Sequence, residues 1–227
     1  MVAKLVLLCL FVFSIILLLQ IRNRFLTPRK FTLLALGDSY SIGEGVESVE
    51  SFSHQAVEFL QRSGYMFAMP DVLARTGWTA QDLLAAIKST HLKEQYSFVT
   101  LLIGVNNQFQ ELDLAEYEST FRILLRIAIR FAGGNPGSVY VLSIPDWSKT
   151  PFASKRNGFK ISLEIKNYNA LNQRIAESEQ VNFLATTDPE TELYEEGDLA
   201  EDELHPSGKI YARWARLLTE RIQNQLA

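Results

Sequence analysis

From position 31 onward, short apolar runs alternate with longer stretches in which apolar residues recur every three or four positions. Phe31 to Leu36, Asp71 to Arg75, Phe98 to Ile103, Ser138 to Ile144 and Val181 to Ala185 read as five strands. Between them, Ser53 to Ser63, Thr79 to Ser89, Ala115 to Ala132, Ser162 to Ser178 and Pro206 to Gln225 read as helices. In the last, Ile210, Trp214, Leu217, Leu218 and Ile222 make one stripe at helical spacing, which is a core-facing pattern. Strands alternating with helices predict an α/β domain with a mostly parallel sheet. Gly133-Gly134-Asn135-Pro136-Gly137 supplies positive φ and blocks continuation of the third helix. One connection is long, from Pro145 to about Ile161, and its Trp147, Pro151, Phe152 and Phe159 suit a binding rim.

The first 30 residues follow a different pattern. Leu5 to Leu19 is apolar throughout except for Ser14, with Lys4 before it and Arg22, Arg24, Arg29 and Lys30 after it. As a helix, residues 5–21 would reach about 25 Å at roughly 1.5 Å per residue, against ~30 Å for the hydrocarbon core. Gln20, Ile21, Arg22, Asn23 and Arg24 offer no small-residue cleavage site, so an uncleaved N-terminal anchor is favoured over a cleaved signal peptide. The chain is thus expected to divide into a membrane segment, 1–30, and one globular domain, 31–227. The basic flank behind the segment, taken literally, places the domain in the cytoplasm. Cys9 reads as a membrane-embedded thiol and not as a lipidation site, because bulky Leu7 and Leu8 precede it.

Charge narrows the partners. Five of the 22 basic residues and none of the 26 acidic ones lie in the first 30 positions, leaving the domain with 17 basic, 26 acidic and a net charge of −9. That surface disfavours nucleic acid. A single cysteine excludes a disulfide within the chain, and three histidines with that one cysteine give no tetrahedral ligand spacing, which argues against zinc.

Three segments carry candidate chemistry. Ser39, in Gly37-Asp38-Ser39-Tyr40, follows the first strand and so falls at the sheet edge where ligands bind in open α/β folds. A helical turn starting there would aim backbone N–H groups at an anion. Ser41 stands where the Gly-x-Ser-x-Gly elbow needs its second glycine, which argues against the ordinary α/β-hydrolase fold. Taken alone, Asp38 or Ser39 serves equally well as a turn cap. Asn106, in Gly104-Val105-Asn106, ends the third strand as Ser39 ends the first; its amide can donate to an oxyanion or merely close a loop. Gly77 lies just past the second strand, where its N–H is a further donor or its flexibility serves a turn. Near the end, Asp202 precedes His205-Pro206 by a spacing that lets its carboxylate reach the imidazole in one turn. The other acids there, Glu203 among them, read as a solvated loop, and His54 and His91 as surface or packing residues.

With these segments assembled, the region from Phe31 to Ala227 resembles the SGNH hydrolases, also called the GDSL esterase/lipase family. The resemblance rests on Gly37-Asp38-Ser39, Gly77, Gly104-Val105-Asn106 and Asp202-x-x-His205-Pro206, present in the family's order. It implies a flavodoxin-like three-layer α/β/α sandwich with a five-stranded parallel sheet, no metal or cofactor, and hydrolysis of an acyl or acetyl ester through an acyl-serine. By that resemblance Ser39 is the nucleophile, His205 the general base and Asp202 its orienting carboxylate. The Ser39 and Gly77 N–H groups and the Asn106 side chain would hold the oxyanion, with Trp78, Gln108, Trp147 and Phe152 as candidate substrate contacts. The family's usual exported location favours an envelope-facing domain, opposite to the charge rule. Many members carry Asp after the block-three Asn, whereas this chain has Asn107. A small-molecule, lipid or acylated-glycan ester is the expected partner. A silent, anchored glycan- or lipid-binding domain and an acyltransferase are the alternatives.

Overall fold

The apolar runs are long enough to cross one sheet and too short for a buried helix, so they pair. In the computed structural model, which describes residues 30–186 and 194–227, the strands are β1 (Leu33–Gly37), β2 (Asp71–Ala74), β3 (Phe98–Leu102), β4 (Val139–Leu142) and β5 (Asn182–Leu184). All neighbouring pairs are parallel, in the order β2-β1-β3-β4-β5. Leu34 of β1 lies opposite Asp71 of β2 and Val99 of β3, which fixes the register at the sheet centre. β1, β3 and β4 are buried along their whole length, as strands covered on both faces must be. The edge strands β2 and β5 are partly open.

The helices are α1 (Ser39–Ile42), α2 (Phe52–Arg62), α3 (Ala80–Ser89), α4 (Val105–Phe109), α5 (Leu114–Phe131), α6 (Gly158–Ser178) and α7 (Gly208–Leu226). α2 and α7 pack together on one face of the sheet, and α3, α5 and α6 cover the other, giving three layers. Trp214 and Tyr211 from α7 and Phe52 from α2 fill the first interface, while Tyr117 and Phe121 from α5 fill the second. Each such large side chain contributes about 1.5–3 kcal/mol by leaving water.

Several boundaries differ from the sequence reading, most by one or two residues. Phe31 makes only an isolated bridge to Phe67, and β1 begins at Leu33. Ser138 belongs to a 3-10 turn, Pro136–Ser138, whose start is capped by Asn135. α6 begins at Gly158, four residues before the expected Ser162, because the Asn157 side chain accepts from Lys160 N–H at 3.1 Å and nucleates the turn earlier. The five-residue α4 was not expected at all. The long connection holds two 3-10 turns, Trp147–Lys149 and Pro151–Ala153.

The N-terminal hydrophobic helix expected over 5–21, and Cys9 with it, lies outside the described residues. Among the described residues, no helix is long and apolar enough to cross a membrane. What positions the site is the strand order. Between β1 and β3 the direction of winding reverses, and a crevice opens at the carboxyl ends of those two strands.

Candidate active site

Ser39 sits on that crevice as the first residue of α1. Asp38 caps the helix, its side chain accepting from Tyr40 N–H at 3.1 Å. Gly37 before it has to be glycine for space: a Cβ would lie 2.2 Å from the Leu102 carbonyl and 2.1 Å from Ser41 Oγ. The helix is a single turn, ended by Gly43 at φ 80°, so Ser39 is 4 % exposed and its N–H has no intrahelical acceptor. Burial pushes the Asp38 carboxyl up to about 7, against the opposing pull of its backbone hydrogen bonds.

His205 arrives from the far end of the chain. The segment from Leu199 to Pro206 folds back on itself through an antiparallel bridge between those two residues, with Ala200 N–H donating to the His205 carbonyl. Its turn passes through Glu203 at φ 58°, a left-handed position that lets the Asp202 carboxylate face back toward the ring. Asp202 Oδ1 accepts from the N–H groups of Leu204 and His205 at 3.0 and 2.9 Å, and His205 Nδ1 lies 2.6 Å from Asp202 Oδ2. Partial burial works against ionisation of Asp202, but the hydrogen bonds from the His205 ring and the two amides outweigh it and hold the carboxyl below its ordinary value. An ionised Asp202 accepts the Nδ1 proton, which leaves Nε2 bare; Nε2 stands 2.9 Å from Ser39 Oγ. The Tyr40 ring, 5.0 Å from the imidazole between centroids, backs it on one side.

Two further groups face the same crevice. Gly77 follows β2 in a turn closed by Trp78 N–H to the Arg75 carbonyl, at φ 82°. Asn106 on α4 donates from Nδ2 to the Trp78 carbonyl at 2.9 Å, which ties the loops after β2 and β3 together and leaves the second amide hydrogen free of that bond. Ser39, Gly77, Asn106 and His205 help to line a cavity of about 150 Å³. Val105, Phe109, Trp147, Phe152 and Leu204 line it too. The polar groups can bind and protonate oxygen, and the apolar ones can hold a hydrocarbon group.

Of the four substrate contacts expected from the sequence, Trp147 and Phe152 lie on the cavity wall, whereas Trp78 and Gln108 do not. Trp78 contributes its carbonyl to Asn106 and packs its ring against the core. Gln108 is buried beneath the wall, accepting from Trp147 Nε1 at 2.9 Å and donating to Glu164 at 2.8 Å, so it orients the indole. Sequence reading missed Phe109, although it lies one helical turn from Asn106 on the same short helix, and Leu204, the neighbour of His205. It also missed Arg156, whose guanidinium lies over the rings of Phe109, Trp147 and Phe152 at 4.7, 5.5 and 5.5 Å. No periodicity marks such a residue.

Asn107 is fully buried. Its Oδ1 accepts from Ala80 N–H at the start of α3, and its Nδ2 donates to Gln81 Oε1. Among the described residues, no group of three or more His, Cys, Asp or Glu side chains is placed to hold a metal ion.

The sequence model of the GDSL-like lipase/acylhydrolase family matches residues 35–213. Among solved structures, the fold is similar to that of TesA, with a TM-score of 0.63 at 20 % identity over 85 % of this chain and 98 % of that one. The esterase EstA from Pseudoalteromonas sp. aligns with a TM-score of 0.61 at 15 % identity, covering 86 % and 98 %. Axe2, an acetylxylan esterase from Geobacillus stearothermophilus, gives 0.63 at 19 % identity, covering 85 % and 94 %. A comparison with curated protein sequences finds no match.

Proposed function

Because the chain belongs to the GDSL-like lipase/acylhydrolase family, we propose that it is a serine esterase that cleaves a carboxylic ester of short acyl chain through an acyl-serine intermediate. The observation that carries this reading is the unbroken line from Asp202 through His205 to Ser39 at the mouth of a cavity.

Ser39 Oγ attacks the ester carbonyl carbon while His205 Nε2 takes its proton, and Asp202 stabilises the imidazolium that results. Negative charge gathers on the carbonyl oxygen, which the Ser39 and Gly77 N–H groups and Asn106 Nδ2 receive. One such donor is worth roughly 3 to 4 kcal/mol in other hydrolases. Nε2 then passes its proton to the departing alcohol, the ester C–O bond breaks, and the acyl group remains on Ser39. A water molecule, deprotonated by the same Nε2, attacks the acyl-serine; the acid leaves as Oγ recovers its proton.

The size of the cavity supports a short acyl group. A volume of about 150 Å³ takes in a benzene-sized group, so an acyl chain of about six carbons or fewer is covered by the wall, while a longer one would run out through the open mouth. Assay of the full chain against p-nitrophenyl esters from acetate to dodecanoate tests this. Turnover should be greatest for the short esters and absent in Ser39→Ala; equal rates for the two proteins would end the proposal. A fluorophosphonate should label the wild type at Ser39, since labelling requires an activated serine.

The apolar run at 5–21 with its basic flanks supports an N-terminal membrane tether for this esterase. The full chain should then sediment with membranes and resist high salt, which a peripheral electrostatic association would not.

A further inference from the structure

Glu44 lies outside the set of residues that act on the ester, yet it touches both backbone loops of the oxyanion site. Its N–H donates to the carbonyl of Ser39 at 3.0 Å. Its carboxylate accepts the hydroxyl hydrogen of Thr76, the residue directly before Gly77. One residue thus spans from the end of β1 to the loop after β2, tying Ser39 to the loop that carries Gly77, and both Ser39 and Gly77 line the same cavity.

The loop needs such a tie. Arg75, Thr76 and Gly77 are exposed, and no atom lies within 4 Å of where a Cβ on Gly77 would stand, so packing does not hold it from that side. The Trp78 N–H to Arg75 carbonyl bond closes the turn upon itself without fixing it to anything else. On the β3 side the loop is held by Asn106 at the Trp78 carbonyl. On the β1 side the hydrogen bond from Thr76 to Glu44 is the corresponding tie. Oxyanion donors act only when they are already in place as charge develops, and an error of about 1 Å in such a site can cost 10²-fold.

We propose that Glu44 is a positioning residue: by clamping Thr76 while bonded to the Ser39 carbonyl, it sets the spacing between the Ser39 and Gly77 N–H donors. The inference rests on the esterase reading for its kinetic readout and on geometry for its second one. Glu44 contacts no substrate atom and transfers no proton, so its effect falls on kcat and not on KM or on the pH profile.

The experiment compares full-chain wild type with Glu44→Ala, Thr76→Val, the double variant and Glu44→Gln. Rates are normalised to Ser39 sites titrated with a fluorophosphonate, which removes any effect of a misfolded fraction. The expected result is a kcat lower by about 10- to 100-fold in each single variant, with KM within about threefold. The double variant should be no worse than the singles, because both break one bond. Glu44→Gln keeps an acceptor for Thr76 and should recover most of the loss. Amide hydrogen exchange over residues 75–79 should rise in Glu44→Ala and Thr76→Val; this is read without any turnover. Unchanged kcat per titrated site, a Glu44→Gln variant as slow as Glu44→Ala, or unchanged exchange over 75–79 would each overturn the clamp. If the wild type turned over no ester and Ser39 took no label, the esterase reading would fall, and the exchange measurement would still decide whether the clamp exists.

Discussion

His205 Nδ1 and Asp202 Oδ2 lie 2.6 Å apart, three residues from each other in the chain, and the same carboxylate also accepts the His205 backbone N–H. The carboxylate therefore fixes both the ring and the main chain that carries it.

Asp202→Asn tests that double role. The amide can present its NH₂ to Nδ1, which would put the imidazole proton on Nε2, where it faces Ser39 and cannot accept. We expect kcat to fall on the order of 10⁴-fold, as wrong-tautomer substitutions do in serine hydrolases, with little change in thermal midpoint because an oxygen still accepts the two backbone N–H groups. Steady-state kinetics beside a melting curve separates the two effects; a loss under tenfold would show that Asp202 does not set the tautomer.

Asp38 should make stability depend on pH in the neutral range. Its carboxyl titrates near 7 in the folded chain and near 3.8 when unfolded. Between those values the folded protein keeps a proton that the unfolded chain has lost, so stability falls as pH rises through this window and levels off above about 7. A shift of that size corresponds to on the order of 4 kcal/mol at 1.36 kcal/mol per unit. Asp38→Asn carries no charge and still accepts from Tyr40 N–H. Its melting midpoint should exceed that of wild type at pH 8, with the gap shrinking toward pH 5. Parallel curves would show that Asp38 is ionised in both states.

Asn107 gives a graded pair of variants. Asn107→Ala leaves the buried Ala80 N–H unsatisfied, a loss of about 1–3 kcal/mol, or roughly 2–12 °C in midpoint for a domain of this size. Asn107→Asp retains the acceptor and gives up the bond to Gln81, and the N-terminus of α3 offsets part of the cost of burying its carboxyl. It should lie closer to wild type than Asn107→Ala does, which differential scanning calorimetry can rank; the reverse order would mean that the donor to Gln81 matters more than the acceptor. In this chain Asn107 ties α4 to α3.

Gly77→Ala should fold. A Cβ would meet nothing within 4 Å, so the penalty is the left-handed φ of 82° alone, about 1–2 kcal/mol. Relief of that strain shifts the backbone around its N–H, so kcat should drop while the melting midpoint moves by a few degrees. An unchanged kcat would remove Gly77 from the oxyanion site.

The sequence discloses what depends on local chemistry and hides what depends on distant partners. β3 and α5 were legible to within a residue because an apolar run or a helical stripe is written in the chain itself. α4 was not, since five residues after Gly104 are too few to show a period. Ser39, Gly77, Asn106 and His205 all stand where strand ends and the closing helix put them, and they meet at one cavity. Gln108, a candidate substrate contact in the sequence, carries an amide whose role spacing alone does not assign. Only the fold reveals that Trp147, 39 residues away, takes up its amide. Arg156 and Glu44 escaped for the same reason: a cation over three rings and a carboxylate across two loops leave no trace in spacing.

Ser39, Gly77 and Asn106 follow β1, β2 and β3, whereas His205 comes just before α7, which packs on α2. On the esterase reading, the nucleophile is therefore made early in synthesis and its base much later. A nascent chain can complete β1 through β4 and still carry an inert serine, because nothing yet accepts its proton. On the same reading, docking of α7 onto α2 converts it, so competence to react with an ester arrives only when two helices far apart in the chain have met.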